Sequence, residues 1–138
     1  MKKKAIISVS SKQSQEDSGN IEVVTPGEFF KKDDCYYAVY KETEISGMEG
    51  TTTTMKIKPE SLSLIRIGTT TAKMNFKQNS DEVVLYNTPY GMLEIKIQTK
   101  GLEIKVDDNG GEVIINYNMT VSGQKPLKTY LKVNIKAQ

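Results

Sequence analysis

Apolar and polar residues alternate with a period of two along almost the whole of this 138-residue chain, and no other feature restricts its fold so strongly. Leu93, Ile95 and Ile97 alternate with Glu94, Lys96 and Gln98, and Leu102, Ile104 and Val106 with Glu103 and Lys105. Val113, Ile115, Tyr117, Met119 and Val121 make one face of a long segment; Leu127, Leu131, Val133 and Ile135 stand against Lys128, Lys132 and Lys136. Successive side chains of a strand point to opposite faces, so this pattern sets one face on a core and the other in water. The N-terminal half is less regular but reads as strand over 4–10, 21–30, 36–45, 51–58, 62–68 and 72–77. Nowhere do apolar residues recur at three- and four-residue spacing for long enough to specify a helix.

The punctuation between these segments is turn chemistry. DDNGG (107–111) supplies residues that tolerate positive φ, SGQKP (122–126) reads similarly, and TPYG (88–91) has Pro where φ is pre-set with Gly two residues on. At Lys100-Gly101 the apolar phase slips from odd to even positions, which marks a tight turn or a bulge. Short strands joined by short turns make a meander, and a long meander loses its exposed edges best by closing. The expected fold is all-β: one domain over 1–138, a single antiparallel up-and-down barrel of about 8–10 strands.

Composition removes several function classes. Nineteen Lys and Arg against seventeen Asp and Glu leave a net charge of +2, with the cations spread along the chain and not gathered as a nucleic-acid surface requires. The single Cys35 excludes an internal disulfide and suits a reducing compartment. The apolar run after the basic start covers only Ala5 to Ile7, too short for a secretion signal, and no stretch approaches the ~20 residues of a membrane-spanning helix. The expectation is a cytoplasmic protein with neither nucleic acid nor membrane as partner. With no histidine, His-based triads and His-containing zinc sites are absent, and GMEG (47–50) lacks the Gly-Lys-Ser/Thr and helix of a phosphate loop. No cofactor and no metal is called for, and an enzyme is disfavoured; a carboxylate pair drawn from Glu42, Glu44 and Glu49 is the weak exception.

Better information comes from polar residues in phase with apolar ones. Counting back from Met55 and Ile57 by twos puts Thr53 and Thr51 on the inner face and Thr52 and Thr54 outside. Tyr36, Ala38 and Tyr40 share a face with Glu42 and Glu44. Arg66 is in phase with Leu62 and Leu64, although Ile65 and Ile67 make the opposite choice nearly as good. An inward guanidinium needs a carboxylate partner, Glu42 or Glu44, or an anionic ligand, because an unpaired buried charge is very costly.

Four stretches together, 40–57 (YKETEISGMEGTTTTMKI), 64–68 (LIRIG), 87–95 (NTPYGMLEI) and 115–124 (INYNMTVSGQ), resemble the YwiB-like family of small uncharacterised bacterial β-barrel proteins, grouped as a domain of unknown function. The resemblance implies a lipocalin-like, calycin-type barrel and brings no established activity, substrate or cofactor. The chain departs from secreted lipocalins in having no tryptophan and in ending on a strand, and SQEDSGN (14–20) is too short for a helical lid. The expected function is therefore interior binding of a small amphipathic or anionic ligand, with Arg66, Glu42, Thr51, Thr53 and Tyr40 as binding residues and Glu49 at the rim. The alternative is a non-enzymatic interaction scaffold with a filled core.

Overall fold

The computed structural model describes residues 2–13, 21–121 and 124–138. The 14–20 gap, and Ser122 and Gly123 of the SGQKP turn, lie outside the described residues. Ten strands follow one another in the chain: β1 (Lys3–Gln13), β2 (Ile21–Lys32), β3 (Cys35–Lys41), β4 (Thr52–Ile57), β5 (Ser61–Ile67), β6 (Ala72–Lys77), β7 (Asp81–Thr88), β8 (Gly91–Asp107), β9 (Gly110–Val121) and β10 (Leu127–Ala137). All pairings are antiparallel, and the order β6-β5-β4-β3-β2-β1-β10-β9-β8-β7 is that of an up-and-down meander closed through its two terminal strands. The closure runs from Ala5 opposite Ala137 to Gln13 opposite Thr129. The expected all-β barrel is what forms.

The ladder breaks between two consecutive strands, β6 and β7. Thr71 and Asn87 exchange both backbone hydrogen bonds, at 2.9 and 3.0 Å, and near the turn the Ser80 N–H donates to the Lys77 carbonyl at 3.1 Å. The same register continued along the hairpin sets Lys73 opposite Leu85 and Asn75 opposite Val83, yet β6 and β7 are the two ends of the sheet order. The middle of this hairpin is splayed. Glu82 fills the gap: its carboxylate accepts the Asn75 backbone N–H and the Asn75 side-chain amide, each at 2.9 Å. A carboxylate thus replaces a missing rung.

At Lys100-Gly101 the structure decides for the bulge: the β8–β9 register shifts between Thr99 and Gly101 inside one long strand. Two departures from the sequence reading have local causes. β7 was not among the expected strands, because Val83, Val84 and Leu85 run consecutively and hide the alternation. The segment expected to continue to residue 45 leaves the sheet after Lys41 and makes a single 3-10 turn, Glu44–Ser46, which Gly47 terminates at φ 76° in the left-handed region. Glu44 is consequently exposed, so the expectation that it shares the inner face with Glu42 is corrected.

Inside, the barrel is packed at one end and hollow at the other. Ile7, Phe29, Met55, Ile57, Leu62, Ile97, Val113, Ile115 and Val133 are essentially inaccessible and fill the end where β1 begins and β10 finishes. Cys35 is a buried free thiol at the start of β3. At the opposite end, the inner residues include Tyr40, Glu42, Thr53 and Arg66. No helix of the described residues is long and apolar enough to cross a membrane.

Glu82→Ala leaves the Asn75 N–H facing a gap that water can enter, so its cost is set by a partly exposed charged hydrogen bond, about 1 kcal/mol. The expected signature is local. Amide hydrogen exchange speeds up roughly fivefold over 73–77 and 82–86. Unchanged exchange over those residues would show that the seam is not held by Glu82.

Candidate functional site

The site is built by four strand ends that converge at the hollow end of the barrel. Tyr40 and Glu42 come from the end of β3 and the residue after it, Thr53 from the start of β4, Arg66 from the end of β5 and Tyr86 from the end of β7. The β3–β4 register sets Tyr40 opposite Thr53, and the β4–β5 register sets Thr53 opposite Arg66, so three polar side chains line up across three strands on one face. The inward phase of Arg66, left open by the sequence, is thereby resolved: Thr53 lies directly opposite it and points inward.

Glu42 is the anchor of the cluster. Its side chain is only 3% exposed, its Oε2 accepts the Thr53 hydroxyl, and the Arg66 Nε lies 3.8 Å from the same oxygen. Arg66, 13% exposed, donates from Nη1 to the Tyr86 hydroxyl, and its guanidinium sits 5.9 Å from the centre of the Tyr86 ring. The Arg66 Nε has no hydrogen-bond partner. The expected Arg66–Glu42 pairing is present, but at a separation that leaves a donor of a buried guanidinium unused.

A cavity of about 170 Å³ lies against this cluster, lined by Tyr40, Glu42, Arg66, Tyr86 and Tyr117 on its polar side and by Val23, Leu64, Met74, Phe76 and Leu131 on its apolar side. Met48, Tyr86 and Met119 also line an outer chamber of about 760 Å³ at the barrel mouth, between the 44–49 segment and Leu93. Glu49 is exposed at that rim, where sequence phasing places it.

Thr51 faces inward as expected but serves the loop above. Its hydroxyl shares a 2.9 Å hydrogen bond with the Thr69 hydroxyl and accepts the Thr70 N–H at 3.0 Å. Gly68, at φ 144°, makes this contact possible, since a Cβ there would sit 2.2 Å from the Gly50 carbonyl oxygen. Neither Thr51 nor Thr53 lines the cavity itself; Thr53 acts on it through Glu42. Tyr86 and Tyr117, which the sequence offers only as wall residues, are the additions. Tyr86 sits on the strand that the alternation did not reveal, so no signal placed it beside Arg66. Among the described residues no group of three or more His, Cys, Asp or Glu could hold a metal ion.

Burial, followed by the negative charge of Glu42, pushes the Tyr40 phenol above its ordinary range. Burial also raises Tyr117, to about 12, with Tyr86 adding to the rise and Arg66 opposing it. An unfolded tyrosine ionises near 10, so between about pH 10 and 12 the native chain keeps a proton that the unfolded chain has released. The stability from Tyr117 is complete below about pH 10 and is lost as pH rises through about 12, amounting to roughly 2 kcal/mol. Thermal unfolding followed from pH 9 to 12 should show a flatter alkaline decline for Tyr117→Phe than for the wild type. Parallel declines would place Tyr117 in contact with solvent.

The uncharacterised beta-barrel protein YwiB of Bacillus subtilis (strain 168) is 26% identical over 129 residues, covering 91% of this chain and 89% of that protein. The crystal structure of ywiB protein from Bacillus subtilis superposes with a TM-score of 0.86 at 22% identity, over 99% of this chain and 93% of the other, and so shows the same fold. Residues 7–133 match the family described as a domain of unknown function (DUF1934), and the chain belongs to that family.

Proposed function

We propose that this protein is a barrel that binds a small amphipathic or anionic molecule in its inner chamber, with Arg66, Glu42 and Tyr40 as contacts and Thr53 and Thr51 in support. One observation carries the reading: Arg66 and Glu42 line an internal cavity as a couple held no closer than 3.8 Å, so neither charge saturates the other. Loosely paired charges at a cavity wall keep hydrogen-bonding capacity for a polar group from outside the chain. The mixed lining supports the same reading, with tyrosine hydroxyls and an ion pair on one side and aliphatic and Met side chains on the other. The lipocalin-like reading of the fold agrees with it by analogy alone. A cytoplasmic setting fits the free Cys35.

Native mass spectrometry of protein purified from its own cell tests this directly. A specific additional mass is expected in the wild type and absent in the double variant Glu42→Gln/Arg66→Met, which removes both charges together and leaves neither unpaired. An added mass retained unchanged by that variant would place the ligand elsewhere.

A second reading, an interaction barrel acting through its outer surface, draws on Val83 and Leu85, 59% and 57% exposed on β7, with Met92 across on β8. It expects a concentration-dependent mass in sedimentation that Leu85→Lys abolishes. A monomer at all dilutions counts against it.

A further inference from the structure

We propose that the outer chamber at the barrel mouth is itself a binding site, and that its occupant is an organic cation: an ammonium group carried on an apolar body. This site adjoins the inner chamber but differs from it in charge, and its occupancy does not depend on what the inner chamber holds.

Shape and rigidity make the chamber a site. At about 760 Å³ it falls within the ~300–1,000 Å³ of small-molecule pockets. Met48, Pro89, Leu93, Ile95 and Met119 give it an apolar lining. Tyr90, wholly exposed, and Leu93, 41% exposed, are apolar surface that the barrel core does not use, and such surface rimmed by polar residues marks a binding groove. The walls are held in place. The Thr69 hydroxyl donates to the Glu49 carbonyl at 2.8 Å and the Thr70 N–H to the Thr51 hydroxyl at 3.0 Å, which braces the 44–49 segment against the 69–70 loop. The turn that supplies Pro89 and Tyr90 is fixed by the Thr88 hydroxyl, which donates to the Gly91 carbonyl at 2.8 Å and accepts the Tyr90 N–H at 3.2 Å. A chamber tied in this way is formed before a ligand arrives, so binding costs little ordering of the walls.

Charge selects the occupant. Of the described residues lining the outer chamber, Glu44 and Glu49 carry the charges, and both are negative and exposed. Their carboxylates are uncommitted. The ion pairs of the described residues are Arg66–Glu42 and Lys132–Glu112, and Glu44 and Glu49 serve their loop through backbone carbonyls, which accept the Gly47 N–H and the Thr69 hydroxyl. The inner chamber sets Arg66 against Glu42, whereas no lining residue balances the outer pair. An anion would meet two like charges there and a neutral molecule would leave both unanswered, so the complementary ligand is a cation. An exposed carboxylate adds little affinity by itself, and the cation must therefore also bring an apolar body for Met48, Leu93 and Met119. Aromatic rings add to the preference. Tyr86 already faces the Arg66 guanidinium at 5.9 Å, which leaves Tyr90 as the open ring for an ammonium.

The test uses three probes with one body on the whole chain at pH 7: phenylpropylamine with a positive charge, phenylpropanol with none, and phenylpropionate with a negative one. Protein-observed NMR should show the amine saturating shifts at the amides of Met48, Glu49, Thr70 and Tyr90, about tenfold tighter than the alcohol and tighter again than the acid. In Glu44→Gln/Glu49→Gln the advantage of the amine over the alcohol should shrink to about threefold, the share left to Tyr90. Added salt should narrow the same advantage in the wild type, a measurement that needs no variant. The acid binding as tightly as the amine at those amides would overturn the proposal, as would an advantage that neither the variant nor salt diminishes. Amine shifts confined to Val23, Leu64 and Leu131 would place the cation in the inner chamber, overturning the outer site and leaving the inner one a ligand site. Silence from all three probes at the mouth amides would overturn the outer site alone.

Discussion

The pairing of β1 with β10 is the constraint on which the rest of the molecule depends. It joins Ala5 to Ala137 and continues to Gln13 and Thr129, closing nearly the whole chain into one loop. Such a contact gains nothing until a large closure entropy has been overcome, so it is the hardest pairing in the fold to make. Yet it is complete, whereas the easiest, between the adjacent strands β6 and β7, is left open in its middle. Topology does not require that opening, since the Thr71–Asn87 register would carry straight through. The break is a local choice of sequence. It places two sheet edges beside each other and covers them with the Glu82 carboxylate, one of the ways in which proteins blunt an edge.

Site and closure are physically coupled through this seam. Arg66 stands on β5 and Tyr86 on β7, with β6 between them, so their hydrogen bond spans the gap near the mouth while Glu82 and Asn75 span it nearer the β6–β7 turn. At the mouth, Thr71–Asn87 holds the two ends of the sheet, and the loop that carries Thr69 and Thr70 is fixed by the Thr51 hydroxyl. The polar residues at the hollow end therefore replace some of the main-chain bonding that a fully zipped barrel would have.

Most of the fold was legible because a half-buried strand writes its burial pattern directly into alternation. Thr51 and Thr53 were placed correctly by counting from Met55, since a strand has only two faces and β4 has no bulge to break the count. The count failed where the backbone departs from regular strand. It carried Glu44 inward because residues 42–46 keep a plausible phase, while the backbone turns out of the sheet at Thr43. It left Lys100-Gly101 open between a turn and a bulge because both shift the phase by one residue. It missed β7 because a strand bordering the open seam keeps apolar residues on its outer face as well as its inner one. At Arg66 the same ambiguity arose from the outward-facing Ile67, 66% exposed. Tyr86 became visible only once β7 was in place, which is why the partner that gives Arg66 its setting could not be read in advance.

Stability alone does not account for a charged pair in this position. A buried ion pair is commonly no more stable than apolar residues of the same shape, because desolvating both charges offsets their attraction. Here the attraction is weak in addition, as the 3.8 Å separation on one carboxylate oxygen is neither bidentate nor a hydrogen bond. Glu42 is well held by Thr53, whereas Arg66 is tied mainly to a neutral tyrosine hydroxyl. Leu64, Met74 and Leu131 beside them show that the chamber could have been completed with aliphatic side chains, as the opposite end of the barrel was. Lysine supplies every other cation of the chain, and a lysine at 66 would bring a compact point charge in place of a planar fork that presents several donors in fixed directions. That fork, tied to Tyr86 through Nη1 and set 3.8 Å from Glu42 at Nε, is the feature that packing alone leaves unexplained.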